Sequence, residues 1–359
     1  MGVGRSAVAL GVVVAGLTTA APAAAAATNW RMLPVPPLKP ANALLDISAT
    51  GPGDVWAAGY QDDSYGRISP HPYALLHWNG TSWAEQTLPG ERISLAAVSA
   101  AAPADVWTVG QDKDLAAYVA HWDGTAWRDY RLPGSSGTRA VLTDVDSRGG
   151  RTLLAGGNGH ALLVEPDAGG FTPVPVPGAD AWAGDLYGVT TAPDGSAFAV
   201  GSWFVDNAGY PEPLVVQNTG GSWRVAALPR IPAARLLDVW ARSATDAWAV
   251  GSATYDSNPE PVLLHWDGRT WQRVSTGLST GTLSAVAGDA SGTVWVSAYD
   301  YPASKFLRYQ RGKWTTVTGP AAPYLSALTA VPGTSSFWAV GLDTTPGGDI
   351  AAVIERTGS

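Results

Sequence analysis

The 359-residue sequence predicts an all-β fold: a seven-bladed β-propeller of four-stranded blades, its ring closed by the N-terminal strand completing the last blade. Three observations predict it. A segment reading Leu-His-Trp-Asn-Gly-Thr-Ser-Trp at residues 76–83 recurs at 120–127 and 264–271, with weaker copies ending at Phe171, Trp223 and Trp314. Short apolar segments begin at Leu44, Leu95, Leu142, Leu186, Leu236, Leu283 and Leu325, spaced by 51, 47, 44, 50, 47 and 42 residues. The seventh repeat stops one strand short, and a matching piece stands near the other end of the chain.

Each element follows from local chemistry. An Asn-Gly or Asp-Gly pair between apolar and aromatic residues marks a tight hairpin, because a primed turn needs positive φ at both central residues. Repetition at this period, with several short strands per repeat, specifies a propeller blade. The first strands are the apolar segments starting at those leucines. The second strand reads Asp54-Val55-Trp56-Ala57-Ala58-Gly59 in the first repeat, with equivalents around Trp107, Leu153, Phe198, Trp248, Trp295 and Trp338. The third strand leads into the Asp/Asn-Gly turn. The fourth carries its closing Trp to a Leu-Pro or similar stop, tolerable because an outermost strand has a free edge.

In the seventh repeat the third strand ends Ile354-Glu355-Arg356-Thr357-Gly358 with no fourth strand after it. Joined to Thr28-Asn29-Trp30-Arg31, that end matches residues 121–128. Pairing the two termini closes the ring and removes the exposed edges of an open array. Fourteen of the 17 tryptophans fall into the second-, third- and fourth-strand columns, where they pack between blades. Trp182, Trp203 and Trp240 stand outside the repeat.

Composition agrees. Gly (42), Pro (27) and Trp (17) are abundant and charged residues make only 14%, a turn-rich β composition. Residues 1–27 read as a secretory signal: Arg5 is the positive start, residues 7–17 the apolar core and 23–27 the small-residue cleavage region. Residues 28–359 are then a single propeller domain, expected to be exported, extracellular and monomeric, with no membrane insertion. There is no cysteine, so stability must come from the core and ring closure. A net charge of −8 disfavours nucleic acid as a partner.

The repeats resemble the Asp-box/BNR, kelch and WD40 group of β-propellers, and look most like secreted actinobacterial propeller proteins with Trp-Ala-Val-Gly and Trp-Asp-Gly-Thr-x-Trp repeats. The Asp-Gly-Thr-x-Trp pieces at 123–127 and 79–83 are similar to an Asp-box hairpin, although His121 and His77 stand where its Ser is usual. The resemblance implies the fold; propellers serve as enzymes, lectins and scaffolds alike.

Candidate functional residues lie on the variable loops between second and third strands and on the connections between blades, which share one face. They are Tyr65, Trp182, Trp203, Phe204, Asp206, Tyr210, Tyr255, Asp256, Tyr299 and Tyr301, with Arg92 and Arg235. Flat aromatic faces for stacking and polar groups for directional hydrogen bonds are what a sugar or peptide site uses. His77, His121 and His265 share one column on three blades, so they cannot converge on a metal and are read as structural. Asp46, Asp144 and Asp238 share the first-strand column and are expected either to bond neighbouring backbone or to hold a channel cation such as calcium. Asn79-Gly80-Thr81 matches a glycosylation sequon but is explained by turn geometry.

No catalytic triad, phosphate loop, metal set or cofactor motif stands out. The expected function is a non-catalytic binding module for an extracellular or cell-envelope carbohydrate or a protein. The alternative is a sialidase-like glycoside hydrolase or lyase using the same face, with Arg92, Arg139 and Arg235 available to bind a carboxylate; a third is an assembly scaffold.

Overall fold

The computed structural model describes residues 30–62, 72–90, 93–132, 140–168, 170–179, 181–205, 209–254, 258–300, 303–320 and 324–358. They form seven antiparallel four-stranded sheets arranged in a ring. Strand β1 (Trp30–Leu33) comes first. Blade 1 is β2 (Ala43–Gly51), β3 (Asp54–Tyr60), β4 (Tyr73–Trp78) and β5 (Trp83–Glu85). Blade 2 is β6 (Ser94–Ala102), β7 (Asp105–Gln111), β8 (Ala117–Trp122) and β9 (Trp127–Arg131), and blade 3 is β10 (Val141–Arg148), β11 (Arg151–Gly157), β12 (Ala161–Asp167) and β13 (Gly170–Pro173). Blade 4 is β14 (Gly184–Thr191), β15 (Ala197–Trp203), β16 (Glu212–Asn218) and β17 (Arg224–Val225). Blade 5 is β18 (Ala234–Ser243), β19 (Asp246–Ala253), β20 (Glu260–Trp266) and β21 (Trp271–Arg273). Blade 6 is β22 (Thr282–Gly288), β23 (Val294–Asp300), β24 (Ala303–Gln310) and β25 (Lys313–Thr318). Blade 7 is β26 (Tyr324–Ala330), β27 (Phe337–Thr344), β28 (Ile350–Thr357) and, on its outer edge, β1.

The split last blade is therefore as expected: Trp30 pairs with Thr357, Arg31 with Arg356, Met32 with Glu355 and Leu33 with Ile354. The Asn/Asp-Gly segments turn hairpins as expected, but not as two-residue primed turns: the loops are four residues long, closed by the Trp78–Trp83, Trp122–Trp127 and Trp266–Trp271 pairs, and only the glycine takes positive φ because the Asn or Asp side chain caps the loop instead. In the Asn79, Asp123 and Asp267 turns the side-chain Oδ1 accepts main-chain N–H groups two and three residues on, and the following Gly80, Gly124 and Gly268 sit at φ near +90°.

Two devices join the blades. The first is aromatic: in six of the seven blades a fourth-strand ring leans on the second-strand column of the blade before it. Trp83 meets Trp338, Trp127 meets Trp56, Trp314 meets Trp248 and Trp30 meets Trp295, each edge-on at 5.3–5.7 Å between centroids. Trp271 meets Phe198 in the same way and Arg151 takes the second-strand role over Trp223, whereas Phe171 of blade 3 meets Tyr130 of the outer strand β9, which itself stacks on the second-strand Trp107. Edge-to-face pairs add to the area they bury, so each seam is fastened at its outer rim.

The second device is a hydrogen bond between neighbouring blades, found at all seven seams. Val98 N–H donates to Asp46, Ser147 N–H to Ser99, Val189 N–H to Asp144 and Ala244 N–H to Asp194. Val286 N–H donates to Asp238, the Ser284 hydroxyl to the Leu325 carbonyl and Ala352 N–H to Asn42. A β-bulge precedes Asp46, Asp144 and Asp238 on their strands and turns each toward the next blade. At the same bulge the second strand carries Gly59, Gly156 or Gly251, where a Cβ would overlap the opposing carbonyl oxygen.

The ring-closing strand should be worth a large share of stability. Trp30 is fully buried, stacked on Phe306 at 4.1 Å and edge-on to Trp295. Replacing Trp30 by Ala is expected to cost about 3–5 kcal/mol, whereas Ala at the exposed Met32 should change stability by less than about 0.5 kcal/mol; denaturant unfolding of the two variants checks the contrast.

Candidate functional site

The histidine column is structural. His77, His121 and His265 each lie flat on the second-strand indole of their own blade, with ring centroids 4.0–4.1 Å apart from Trp56, Trp107 and Trp248. Their Nε2 atoms reach Asp54, Asp105 and Asp246 at 2.6–2.9 Å. Burial by itself would raise the Asp54 carboxyl, but hydrogen bonds from His77 and Thr50 reverse that and hold it below its ordinary range. Blades 6 and 7 fill the same position with Arg308 over Trp295 and Arg356 over Trp338, a cation on an indole face.

The central channel has a volume of about 250 Å³ and is lined by first-strand residues of all seven blades. Asp46, Asp144 and Asp238 face it, and each divides its two oxygens between main-chain donors. One oxygen accepts the following residue's N–H at 2.7–2.8 Å, and the other accepts an N–H of the next blade at 2.6–2.7 Å. The backbone-bonding expectation is the one met. Among the described residues no group of three or more His, Cys, Asp or Glu is placed to hold a metal ion. Burial pushes these carboxyls up, to about 6 for Asp46 and about 7 for Asp238. Burial, then the charges of Asp46 and Asp238, raises Asp144 as well. Trp240, outside the repeat in sequence, also lines this channel; its indole lies against Gly288, where any Cβ would fall inside the ring. It is a packing residue.

The loop face holds the remaining candidates. Tyr65, Arg92, Asp206, Tyr255, Asp256 and Tyr301 lie outside the described residues, as does Arg139. Trp182, Trp203, Phe204 and Tyr210 all belong to blade 4 and the segments flanking its strands. Trp203 is not in a loop: it ends β15, paired with Gly184 on one side and Glu212 on the other, and is half-buried. The next residue crosses to the blade connection, where Phe204 N–H donates to the Ala183 carbonyl at 2.8 Å, beside half-buried Trp182. That leaves Phe204 46% and Tyr210 53% exposed, two of the most exposed large apolar side chains described. Arg235 lies in β18 opposite Ser252, exposed, rather than in a connection. Tyr299 lies in β23 and packs edge-on against Tyr324 at 5.3 Å. These two belong to other blades and not to blade 4.

Beside Trp203 is a groove of about 390 Å³ that sequence reading did not find. It runs along the start of β16 and is walled by Trp203, Pro213, Leu214, Leu228, Pro229 and Ile231, with Glu212 and Arg230 as its charged groups. Strand β17 is two residues long and pairs only with Val216 and Gln217, so the outer side of β16 at Glu212 and Pro213 carries no strand. A counterpart on blade 5, over Glu260 and Pro261, is crossed by an Arg273–Glu260 ion pair of 2.6 Å. The repeated Glu-Pro at the head of the third strand was the available signal.

No family model matches the chain, and no curated protein does. Solved structures do. A YCF48 bound to a D1 peptide superposes with a TM-score of 0.62 at 14% identity, covering 93% of this chain and 96% of that one. YCF48 from Cyanidioschyzon merolae gives 0.59 at 16% identity, covering 91% and 98%. A GH74 xyloglucanase from Xanthomonas campestris gives 0.56 at 13%, covering 90% of this chain and 55% of that one. The chain is a β-propeller repeat protein. At these identities the likeness extends to the fold and no further.

The channel and loop carboxylates set opposite pH limits. Folded pKa values raised by burial (Asp46 to about 6, Asp238 to about 7, and Asp144 well above its ordinary value) mean stability that is fully present below the ordinary aspartate range and lost as pH rises through those raised values. Lowered values work the other way: for Asp54 through its His77 bond, and for Asp123, held at about 2 by its Thr125 hydroxyl and main-chain bonds, stability is lost as pH falls below about 4. Denaturant midpoints measured from pH 3 to pH 9 should therefore pass through a maximum near pH 4–5 and decline by pH 8.

Proposed function

We propose that the protein is an exported, non-catalytic binding module that holds its ligand, an extracellular or cell-envelope protein or carbohydrate, on the blade 4 side of its loop face. The observation that carries this is the exposure of Phe204 and Tyr210 beside the Trp203 groove. Large aromatics left in water beside a concave apolar surface gain most by being covered. Export rests on the charged, apolar and small-residue order of residues 1–27.

Within that reading the groove favours a protein segment over a sugar. Its walls are apolar apart from Glu212 and Arg230, and an extended segment meets an outer strand side at Glu212 and Pro213 that has no strand of its own. A sugar site uses more amides and carboxylates than this. The YCF48 structure with its bound peptide supports a propeller holding a peptide, by analogy of fold. The xyloglucanase likeness supports the hydrolase alternative in the same limited way, but hydrolysis needs two carboxyls at fixed separation, and this groove has Glu212 alone.

The test is a paired screen of a random-peptide library and a polysaccharide array with the mature chain and a Phe204→Ala/Tyr210→Ala variant. The expected result is a peptide hit whose affinity falls tenfold or more in the variant, with no turnover and unchanged Tm. A glycan hit lost in the variant would keep the site and change the ligand class. Binding unaffected by the variant, or no binding in either arm, would overturn the assignment.

A further inference from the structure

The seam between blades 6 and 7 differs from the other six in one column. In every blade the third-strand residue opposite the centre of the second strand faces the preceding blade and is buried: Leu76, Ala120, Val164, Val216, Leu264 and Leu307 in blades 1 to 6. In blade 7 the same place, opposite Ala339, holds Glu355. Glu355 is fully buried and neither carboxyl oxygen has a hydrogen-bond partner. Its other neighbour across the ladder is Met32 of β1. It shares a sheet face with Trp30, because both alternate in step along β1 and β28, and Trp30 packs on Phe306 and Trp295 of blade 6. The indole N–H of Trp30 and the Nε of Arg308 are also buried without partners. One seam thus holds an unpaired acid, an unpaired donor of an arginine and the strand that closes the ring.

We propose that Glu355 makes ring closure proton-dependent: the β1–β28 latch holds while its carboxyl is neutral, and ionisation weakens the hold of β1. An unpaired carboxylate in an apolar seam has a large desolvation cost, and detaching β1 is the shortest way to return it to water. Burial pushes the Glu355 carboxyl up to about 7, in keeping with that geometry. Closure is then tightest below the ordinary glutamate range and loosens as pH rises through about 7.

The charged groups around it are few. From blade 6, Arg308 lies over Trp295, 5.4 Å from the ring centroid, on the face turned to blade 7, and Lys313 stands exposed at the outer end. Arg31 of β1 and Arg356 of β28 face each other on the opposite side of the sheet, where burial and then the Arg31 charge lower Arg356. From β27, Ala339 is the direct neighbour and Asp343 lies four residues along the same face. Arg308 makes no ion pair with Glu355 in the closed seam, so ionised Glu355 has no partner in place.

Amide hydrogen exchange by mass spectrometry tests this in the whole mature chain. Opening of the segments around Trp30–Leu33 and Ile350–Thr357 is taken relative to Asp54–Tyr60 in the same sample, which cancels the intrinsic pH dependence and any global effect of the channel aspartates. The ratio should rise on the order of a hundredfold from pH 5 to pH 8, because opening grows about tenfold for each pH step between the ordinary glutamate range and the raised value of Glu355. In Glu355→Gln, which cannot ionise, and Glu355→Leu, which copies blades 1, 5 and 6, the ratio should be flat. A flat wild-type ratio, or a rise that survives in whichever variant folds, would overturn the proposal.

Discussion

The ring stands on one recurring contact, an outer-strand aromatic set against the blade before it, in five of the seven blades edge-on to that blade's second-strand ring. Trp127 on Trp56 and Trp314 on Trp248 are the same arrangement as Trp30 on Trp295. A four-stranded sheet with apolar faces cannot be stable alone; it needs a neighbour on each side. The clamp supplies that neighbour, and because it always points backward along the chain, the first strand must end on the last blade. Ring closure is thus a consequence of the repeat rather than an addition to it.

Inside the aromatic rim, the inter-blade hydrogen bonds set the register between sheets. The aspartates at the bulges do this in blades 1, 3 and 5, and serine, asparagine or another aspartate does it elsewhere. Carboxylates in this place bind two main-chain donors each but are buried away from water, and burial, with a smaller contribution from their neighbouring charges, raises their pKa values although every oxygen is hydrogen-bonded. Surface turns show the opposite balance: Asp123 accepts comparable bonds in water and its pKa falls. The same side chain serves order in both places and titrates in opposite directions because solvation differs.

Most of the fold was legible because its determinants are local and repeated. Asn79-Gly80 announces its own hairpin, and the Trp30 fragment matches residues 121–128 in the amino-acid sequence alone. The site was less legible. Phe204 and Tyr210 were visible as aromatics between strands, but Trp203 belongs to a strand and Arg235 to another, since a strand's end depends on pairing that one segment does not reveal. The groove escaped notice because its walls, Pro213 and Ile231 among them, belong to segments joined only by folding. Trp240 looked informative for lacking a column, yet the reason for it is Gly288 on the next blade. Glu355 broke a column of six apolar residues in plain view; seeing that required the register.

The most direct test of the closed ring uses the absence of cysteine from the chain. Arg31 and Arg356 are cross-strand partners on β1 and β28, 325 positions apart (356 − 31) in sequence. With cysteine placed at both positions, mild oxidation should give a nearly complete disulfide within the monomer, seen as a mass loss of about 2 Da and faster migration on a non-reducing gel. Free thiols after oxidation, or a bond formed only between molecules, would show that the first strand does not lie on the last blade and would contradict the ring.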